Sequence, residues 1–170
     1  RVRVLHSLSF VDDPTRILRA VRYEQRYDFE IGERTLELLL AAKEVLNRVS
    51  GDRIRHELNR ILEEKKADAM MNRLGDLTIL EAIHPDLDWN KEISDLIHEA
   101  PEKVIPEEWG IEKDGFGIPY RRLMTYLLWL MRTPRPRQAA DRLKLPGDVR
   151  ELILGAAKLD RMLPDFRDLT

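Results

Sequence analysis

The chain has 170 residues, 43% of them hydrophobic, with 29 lysines and arginines against 31 aspartates and glutamates, a formal net charge of −2 and no cysteine. That length makes one domain or two small ones, able to bury roughly 70% of the surface its unfolded form exposes. The lack of cysteine excludes disulfides and thiolate metal sites and, with no secretory segment in view, leads us to expect a reducing cytoplasm; the longest apolar run, Leu127 to Met131, is far too short to cross a bilayer, so no membrane partner is expected.

The chain opens on Arg1-Val2-Arg3-Val4, in the middle of an alternating pattern and without a methionine, as a piece of something longer would. Residues Val2 to Phe10 read as a short extended lead-in, after which helical periodicity dominates. A first helix is expected from about Pro14 to Phe29, with Asp13 as its N-cap, Pro14 in the first turn and Gly32 as its stop. At about 100° per residue, Arg19, Arg22 and Arg26 fall within roughly 60° of one another, opposite a packing face of Ile17, Ala20 and Val21.

A second helix is expected from about Glu33 to Val49, and a third follows Ser50 as cap, with apolar residues at i, i+4, i+7 and i+8. Ala67 to Ile83 carries Gly75 in its middle and ends at His84-Pro85, which predicts two short helices or a break. Residues Pro101 to Pro119 hold three prolines and three glycines and are the best linker candidate. Tyr120 to Met131 is apolar nearly all round and predicts a central helix with Trp129 in the core; two more helices, from about Gln138 to Leu145 and Asp148 to Leu163, close the chain. With no second strand in view, the predicted fold is all-α, a helical neck (residues 1–85) plus a partial helical body (residues 86–170).

Charge is distributed unevenly. Glu81 to Asp114 carries eleven acids against three lysines, a net −8, whereas Pro119 to Arg150 carries eight bases against two acids, a net +6. A solvated face or a polyanionic partner would each account for such asymmetry.

Particular residues carry a resemblance. Val4-Leu5-His6 with Ser9-Phe10, then Asp12-Asp13-Pro14-Thr15-Arg16-Ile17-Leu18-Arg19-Ala20-Val21-Arg22-Tyr23, resembles the segment after the catalytic head of class II tRNA nucleotidyltransferases and bacterial poly(A) polymerases. Ser50-Gly51-Asp52-Arg53-Ile54-Arg55-His56-Glu57-Leu58 is similar to the next family motif, Ile83-His84-Pro85 to the end of the neck, and Arg142-Leu143-Lys144-Leu145 to a helix of the body. Arg22-Tyr23-Glu24-Gln25-Arg26-Tyr27 is closest to the A-adding branch.

The resemblance implies that Asp13 and Arg16 are the protein template for the incoming base, with Asp12 at a position usually held by glutamate. The chemistry agrees. A carboxylate accepts from the exocyclic amine of cytosine or adenine while a guanidinium donates to a neighbouring ring acceptor. Uracil and guanine put a carbonyl where the amine should be, and an unpaired buried charge costs about 1–3 kcal/mol or more. Asp13 ahead of Pro14 is also an ordinary helix cap, in which case a base would have to use its second oxygen.

The resemblance further implies partners: tRNA, ATP and/or CTP as substrate, and an upstream head domain of the same chain whose carboxylates hold Mg2+. The head motifs Gly-Gly-x-Val-Arg-Asp and Asp-x-Asp do not occur here, so this segment alone is expected to bind no cofactor and to have no polymerising activity. The expected function is base selection and RNA binding for an enzyme that adds C and/or A to tRNA 3′ ends; the alternatives are a poly(A) polymerase or a non-catalytic helical RNA-binding module.

Other candidates are weighed beside these. Arg19, Arg22, Arg53 and Arg55 could touch nucleotide or RNA phosphate or form salt bridges within the fold. The basic stretch with Arg121, Arg122, Arg135, Arg137, Arg142 and Lys144 is the candidate contact for the tRNA backbone. His6, His56, His84 and His98 lack zinc-motif spacing, so no metal site is expected, and Trp89, Trp109 and Trp129 are too scattered for a base-stacking platform.

Overall fold

A computed structural model describes residues 1–99 and 119–167; the proposed linker lies almost wholly outside this range, as does Trp109. The described residues are all-α, with ten helices: α1 (Ser9–Asp12), α2 (Thr15–Arg26), α3 (Glu33–Ala42), α4 (Gly51–Leu62), α5 (Ala67–Asp76), α6 (Ile79–Ile83), α7 (Lys91–Glu99), α8 (Tyr120–Leu130), α9 (Pro136–Arg142) and α10 (Gly147–Arg167).

The lead-in is extended only at its start. Val2 pairs with the α2–α3 turn, its N–H on Glu30 O at 2.9 Å and its carbonyl taking Gly32 N–H at 3.0 Å, a single parallel bridge to Ile31. Its far end coils into α1, because burying Phe10 (2% exposed) gains more than continued extension with no strand beside it.

α2 places Ile17, Leu18 and Val21 wholly inside. It ends at Arg26, short of Phe29, since Asp28 takes a left-handed conformation (φ 51°) and Phe29 N–H returns to Glu24 O at 2.8 Å. Gly32 is therefore the N-cap of α3 rather than the stop of α2. The turn is closed by buried Glu24, whose Oε1 accepts Ile31 N–H at 3.2 Å and whose Oε2 accepts Arg73 Nε–H at 3.0 Å. The expected second helix tightens after Ala42 into a 3-10 segment, Lys43–Arg48.

α5 and α6 are the two short helices foreseen, but the break comes after Gly75, at Leu77 and at Thr78 (φ 52°). Gly75 is needed for packing: a Cβ there would lie 2.5 Å from Trp89 O. In the second half α9 starts earlier than expected, with Pro136 in its first turn, and α10 runs on to Arg167. One core extends from Phe10 to Ile153 with Trp129 fully buried, its Nε1–H on Asp88 O at 2.7 Å; Tyr126 donates from α8 to Asn59 of α4 at 2.8 Å.

The close approach of α9 to α4 yields a stability prediction. A Cβ at Gly51 would stand 2.2 Å from Arg142 O, so Gly51→Ala must push two helices apart and is expected to destabilise by about 1–3 kcal/mol. Gly155, exposed in α10 with nothing within 4 Å of its would-be Cβ, gives the opposite sign, about 0.5–1 kcal/mol of stabilisation for Gly155→Ala. Urea unfolding of both variants reads the pair; equal effects would contradict the packing argument.

Candidate functional site

The sharp corner between α1 and α2 brings Asp13 and Arg16 together. α1 ends at Asp12; the extended backbone of Asp13 after it (φ −141°, ψ 93°) turns the chain, and Pro14 starts it into α2. One oxygen of Asp13 is saturated. Oδ1 accepts Thr15 N–H at 3.2 Å, Thr15 Oγ1–H at 2.6 Å and Arg53 Nη2–H at 2.8 Å. The cap is therefore made, by Asp13 acting two residues ahead. Oδ2 takes no hydrogen bond among the described residues and has Arg16 Nε at 3.9 Å. Arg16, half-exposed, sends Nη1 back to Ser9, at 2.9 Å to Oγ and 3.3 Å to the carbonyl. The corner thus presents one free carboxylate oxygen beside one free guanidinium edge.

Burial pushes the Asp13 carboxyl up, but the Thr15 hydrogen bonds and the positive charges of Arg53 and Arg19 outweigh it and hold the pKa below the ordinary 3.8. The group is an anion, an acceptor without a proton to give, at any pH near neutrality. A carboxyl depressed in the fold contributes stability above its unfolded pKa and loses it as pH falls through the lowered value. Asp13→Asn is therefore expected to cost stability at neutral pH, with the gap to the parent closing below the ordinary aspartate range; thermal melts from pH 7 down to about 2.5 would show it.

The remaining candidates around the corner are engaged within the fold. Asp12 is exposed, with His6 Nε2 at 3.9 Å. Arg19 donates to Glu57 at 3.0 Å and Arg26 to Glu64 at 3.0 Å. Arg22 is buried, 3.8 Å from Glu57 and 3.9 Å from Glu64. The arginine face of α2 is thus not the free cationic surface that a helical projection suggests: it lies on α4, whose Glu57 (2% exposed) sits between buried Ile54 and Leu58. Glu57 is the functional-site neighbour that sequence reasoning missed. Its signal was available, a charge at i+3 from Ile54 in an otherwise apolar stripe, which has to have a buried partner. Ser9 was missed as well, and nothing in its spacing marks it.

In the second half the basic residues are dispersed. Arg121 lies 3.8 Å from Asp68, Arg122 2.6 Å from Glu63, and Lys144 3.0 Å from Asp52. Arg135 grips buried Asp86 with two bonds, 2.8 and 2.9 Å, which raises the guanidinium pKa further. Arg55 reaches Leu143 O at 3.2 Å and Asp52 at 2.9 Å. Arg142 bonds to three carbonyls, Ile83 O (3.1 Å), Leu46 O (3.0 Å) and Asn47 O (3.3 Å), capping the ends of α6 and the 3-10 segment. Arg137 is exposed and, among the described residues, makes no ion pair; it lines a cleft of about 530 Å³ with Lys158 and Arg161.

Comparison with known proteins shows what the chain is similar to. A family model described as the probable RNA and SrmB-binding site of polymerase A matches residues 28–90. The A-adding tRNA nucleotidyltransferase of Geobacter sulfurreducens is 44% identical over 88 residues, covering 51% of this chain and 10% of that protein. That of Aquifex aeolicus is 30% identical over 156 residues, covering 88% of this chain and 18% of the relative. Among solved structures, the Thermotoga maritima CCA-adding enzyme complexed with tRNA superposes with a TM-score of 0.72 at 33% identity, over 98% of this chain and 40% of that one. A CCA-adding enzyme in complex with ATP superposes at 0.74 and 34%, over 98% and 39%. The chain spans well under half the length of each of these proteins.

Proposed function

We propose, from the chain's membership of the tRNA nucleotidyltransferase and poly(A) polymerase family, that it is the neck and part of the body of an enzyme adding A and/or C to tRNA 3′ ends, where it selects the incoming base and contributes RNA-binding surface. Its partners on this reading are tRNA, ATP and/or CTP, and a catalytic head upstream in the same chain. One observation carries the proposal: Asp13 Oδ2 and one edge of Arg16 stay free while Asp13 Oδ1 and Arg16 Nη1 are tied down by Thr15, Arg53 and Ser9.

The free oxygen accepts the amine proton of adenine N6 or cytosine N4, and the free guanidinium edge donates to the adjacent ring nitrogen. A carbonyl at that place, as in guanine or uracil, would face Oδ2 with two acceptors in contact. Fixing Oδ1 by three donors keeps the carboxylate from rotating to relieve that contact, which is preorganisation of a selective site. The Mg2+ that the family implies does not fit these residues. Asp13 is surrounded by Arg53, Arg16 and the Thr15 hydroxyl, and among the described residues no three histidines or acids meet at metal-binding distance. The metal chemistry is assigned to the upstream head, where Mg2+ would activate the attacking hydroxyl and the leaving pyrophosphate.

Labelled ATP and CTP supplied to the full-length polypeptide, with tRNA transcripts ending in the discriminator base or in CC, test the proposal. ATP addition to the CC-ended transcript alone identifies an A-adding enzyme, and CTP followed by ATP on the shorter one a complete CCA-adding enzyme. Addition to neither would leave only a binding module. The isolated 170-residue chain is expected to add nothing.

For the RNA backbone the proposal singles out Arg137 from the basic stretch, since the other five candidates already hold a carboxylate or carbonyl. Arg137→Ala is expected to weaken tRNA binding by the full-length protein at low salt and to reduce the slope of log K against log salt by about one unit. An unchanged slope would remove Arg137 from the interface.

A further inference from the structure

We propose that Ser9 is a positioning residue that sets which edge of Arg16 meets the base. This rests on Asp13 and Arg16 being the base-reading pair. A guanidinium is a rigid plane with five N–H donors, and rotating it changes which donors face a ligand. Arg16 is half-exposed, so packing alone does not fix its rotation. Ser9 does. Its hydroxyl and its carbonyl both accept from Nη1, at 2.9 and 3.3 Å.

With Nη1 held on Ser9, the edge made by Nε and Nη2 is left to face outward, and that edge lies on the Asp13 side, Nε being 3.9 Å from Oδ2. The same Nε and Nη2 edge grips Asp86 in Arg135 and Glu24 in Arg73 of this fold, so it is competent for two parallel bonds. Ser9 can serve as anchor because it is itself immobile. It is buried at 6% exposure, and its neighbour Phe10 is pinned in the core. Its carbonyl also takes the Asp13 N–H at 3.4 Å, so one residue touches both members of the pair.

Removing the hydroxyl leaves Nη1 with the longer carbonyl contact alone. The guanidinium then samples rotations in which no donor is aligned with the ring acceptor. In the full-length polypeptide, Ser9→Ala is expected to reduce the preference for the correct nucleotide over GTP and UTP about tenfold, mainly by raising KM, with kcat at saturation little changed. Ser9→Thr, which keeps the hydroxyl, is expected to retain the parental preference. A merely structural serine would lower the melting temperature and overall activity without altering the ratio between nucleotides. Arg16→Ala is run beside these variants.

Several outcomes overturn the inference. Ser9→Ala could fold and discriminate like the parent. It could lower KM or sharpen discrimination, which would mean that Ser9 holds Arg16 away from the base. It could lose the preference together with Ser9→Thr, which would mean that the hydroxyl is not the cause. If Arg16→Ala also leaves the nucleotide preference unchanged, the base-reading pair itself fails, and that result is distinct from a failure at Ser9 alone.

Discussion

Glu57→Ala is expected to lower the stability of this chain by about 3–5 kcal/mol, the largest effect of any single substitution considered, because, among the described residues, it takes away one of only two carboxylates beside a buried guanidinium. Glu57 is 2% exposed, and Arg22 beside it has a side chain only 8% exposed, with Glu64 at 3.9 Å as its remaining acid. The Nε of Arg22 already lacks a hydrogen-bond partner, and the hydrogen bond that Nη2 donates, to the Tyr23 hydroxyl at 3.3 Å, goes to a neutral group. Against a total stability of about 5–15 kcal/mol, the variant would be near unfolding.

Two controls separate a buried charge from lost packing. Arg19→Ala removes the exposed partner of the same carboxylate, 40% accessible, and is expected to cost under about 1 kcal/mol. Arg22→Met combined with Glu57→Ala removes both charges and is expected to recover much of the loss. Urea unfolding of the three variants measures the set. A cost below about 1 kcal/mol for Glu57→Ala would show that solvent reaches Arg22 after all.

On the proposed base-reading role, Asp13→Asn is expected to remove the preference for adenine and cytosine, because of the way the corner holds its side chain. Thr15 N–H, Thr15 Oγ1–H and Arg53 Nη2–H all donate to the Oδ1 position, so an asparagine turns its carbonyl oxygen there. Its amide NH2 then stands where Oδ2 was. A donor now faces the base and opposes the amine of cytosine or adenine; the carbonyl of uracil or guanine would accept from it, but Arg16 then meets the N–H of the adjacent ring nitrogen in those bases, donor against donor. In the full-length polypeptide, kcat/KM for ATP or CTP is expected to fall about 10²-fold, near 3 kcal/mol, with no comparable gain for UTP or GTP. Competition assays with all four nucleotides read this directly. Unaltered preference in a folded Asp13→Asn variant would contradict the template role, whereas efficient incorporation of UTP or GTP would mean that Arg16 and Asp13 do not act on one base together.

Much of this protein follows from local patterns. The apolar stripes of α2 and α4 are legible because they recur at 3.6-residue spacing and have to be buried, and Ile17, Val21, Ile54, Leu58 and Ile61 are all fully inside. The all-α class, the two short helices before His84, the central α8 with Trp129, and the Asp13-Pro14 corner come from the same kind of short-range evidence. Family membership is written in the spelling of Asp12 to Tyr23 and Ser50 to Leu58, within a few turns of chain.

The partners of charged groups were decided by tertiary structure alone, since a carboxylate from a distant helix leaves no trace in the spacing of the arginines it meets. Arg22 and Arg19 look like a free cationic face until α4 is laid across them. The acidic and basic stretches that appear as opposite fields partly cancel once folded, Asp86 taking Arg135 and Glu92 taking Arg132. The ends of α2 and α5 are marked by left-handed Asp28 and Thr78, which meet Lys66 and Lys43 from elsewhere in the fold. At the corner itself the sequence pointed to Asp13 as a helix cap, and its family resemblance pointed to Asp13 and Arg16 as the pair proposed to read the base. Which oxygen and which guanidinium edge stay free was settled by Arg53, 40 residues away, and by Ser9, because a side chain's remaining hydrogen-bonding capacity is what its neighbours in space have left unused.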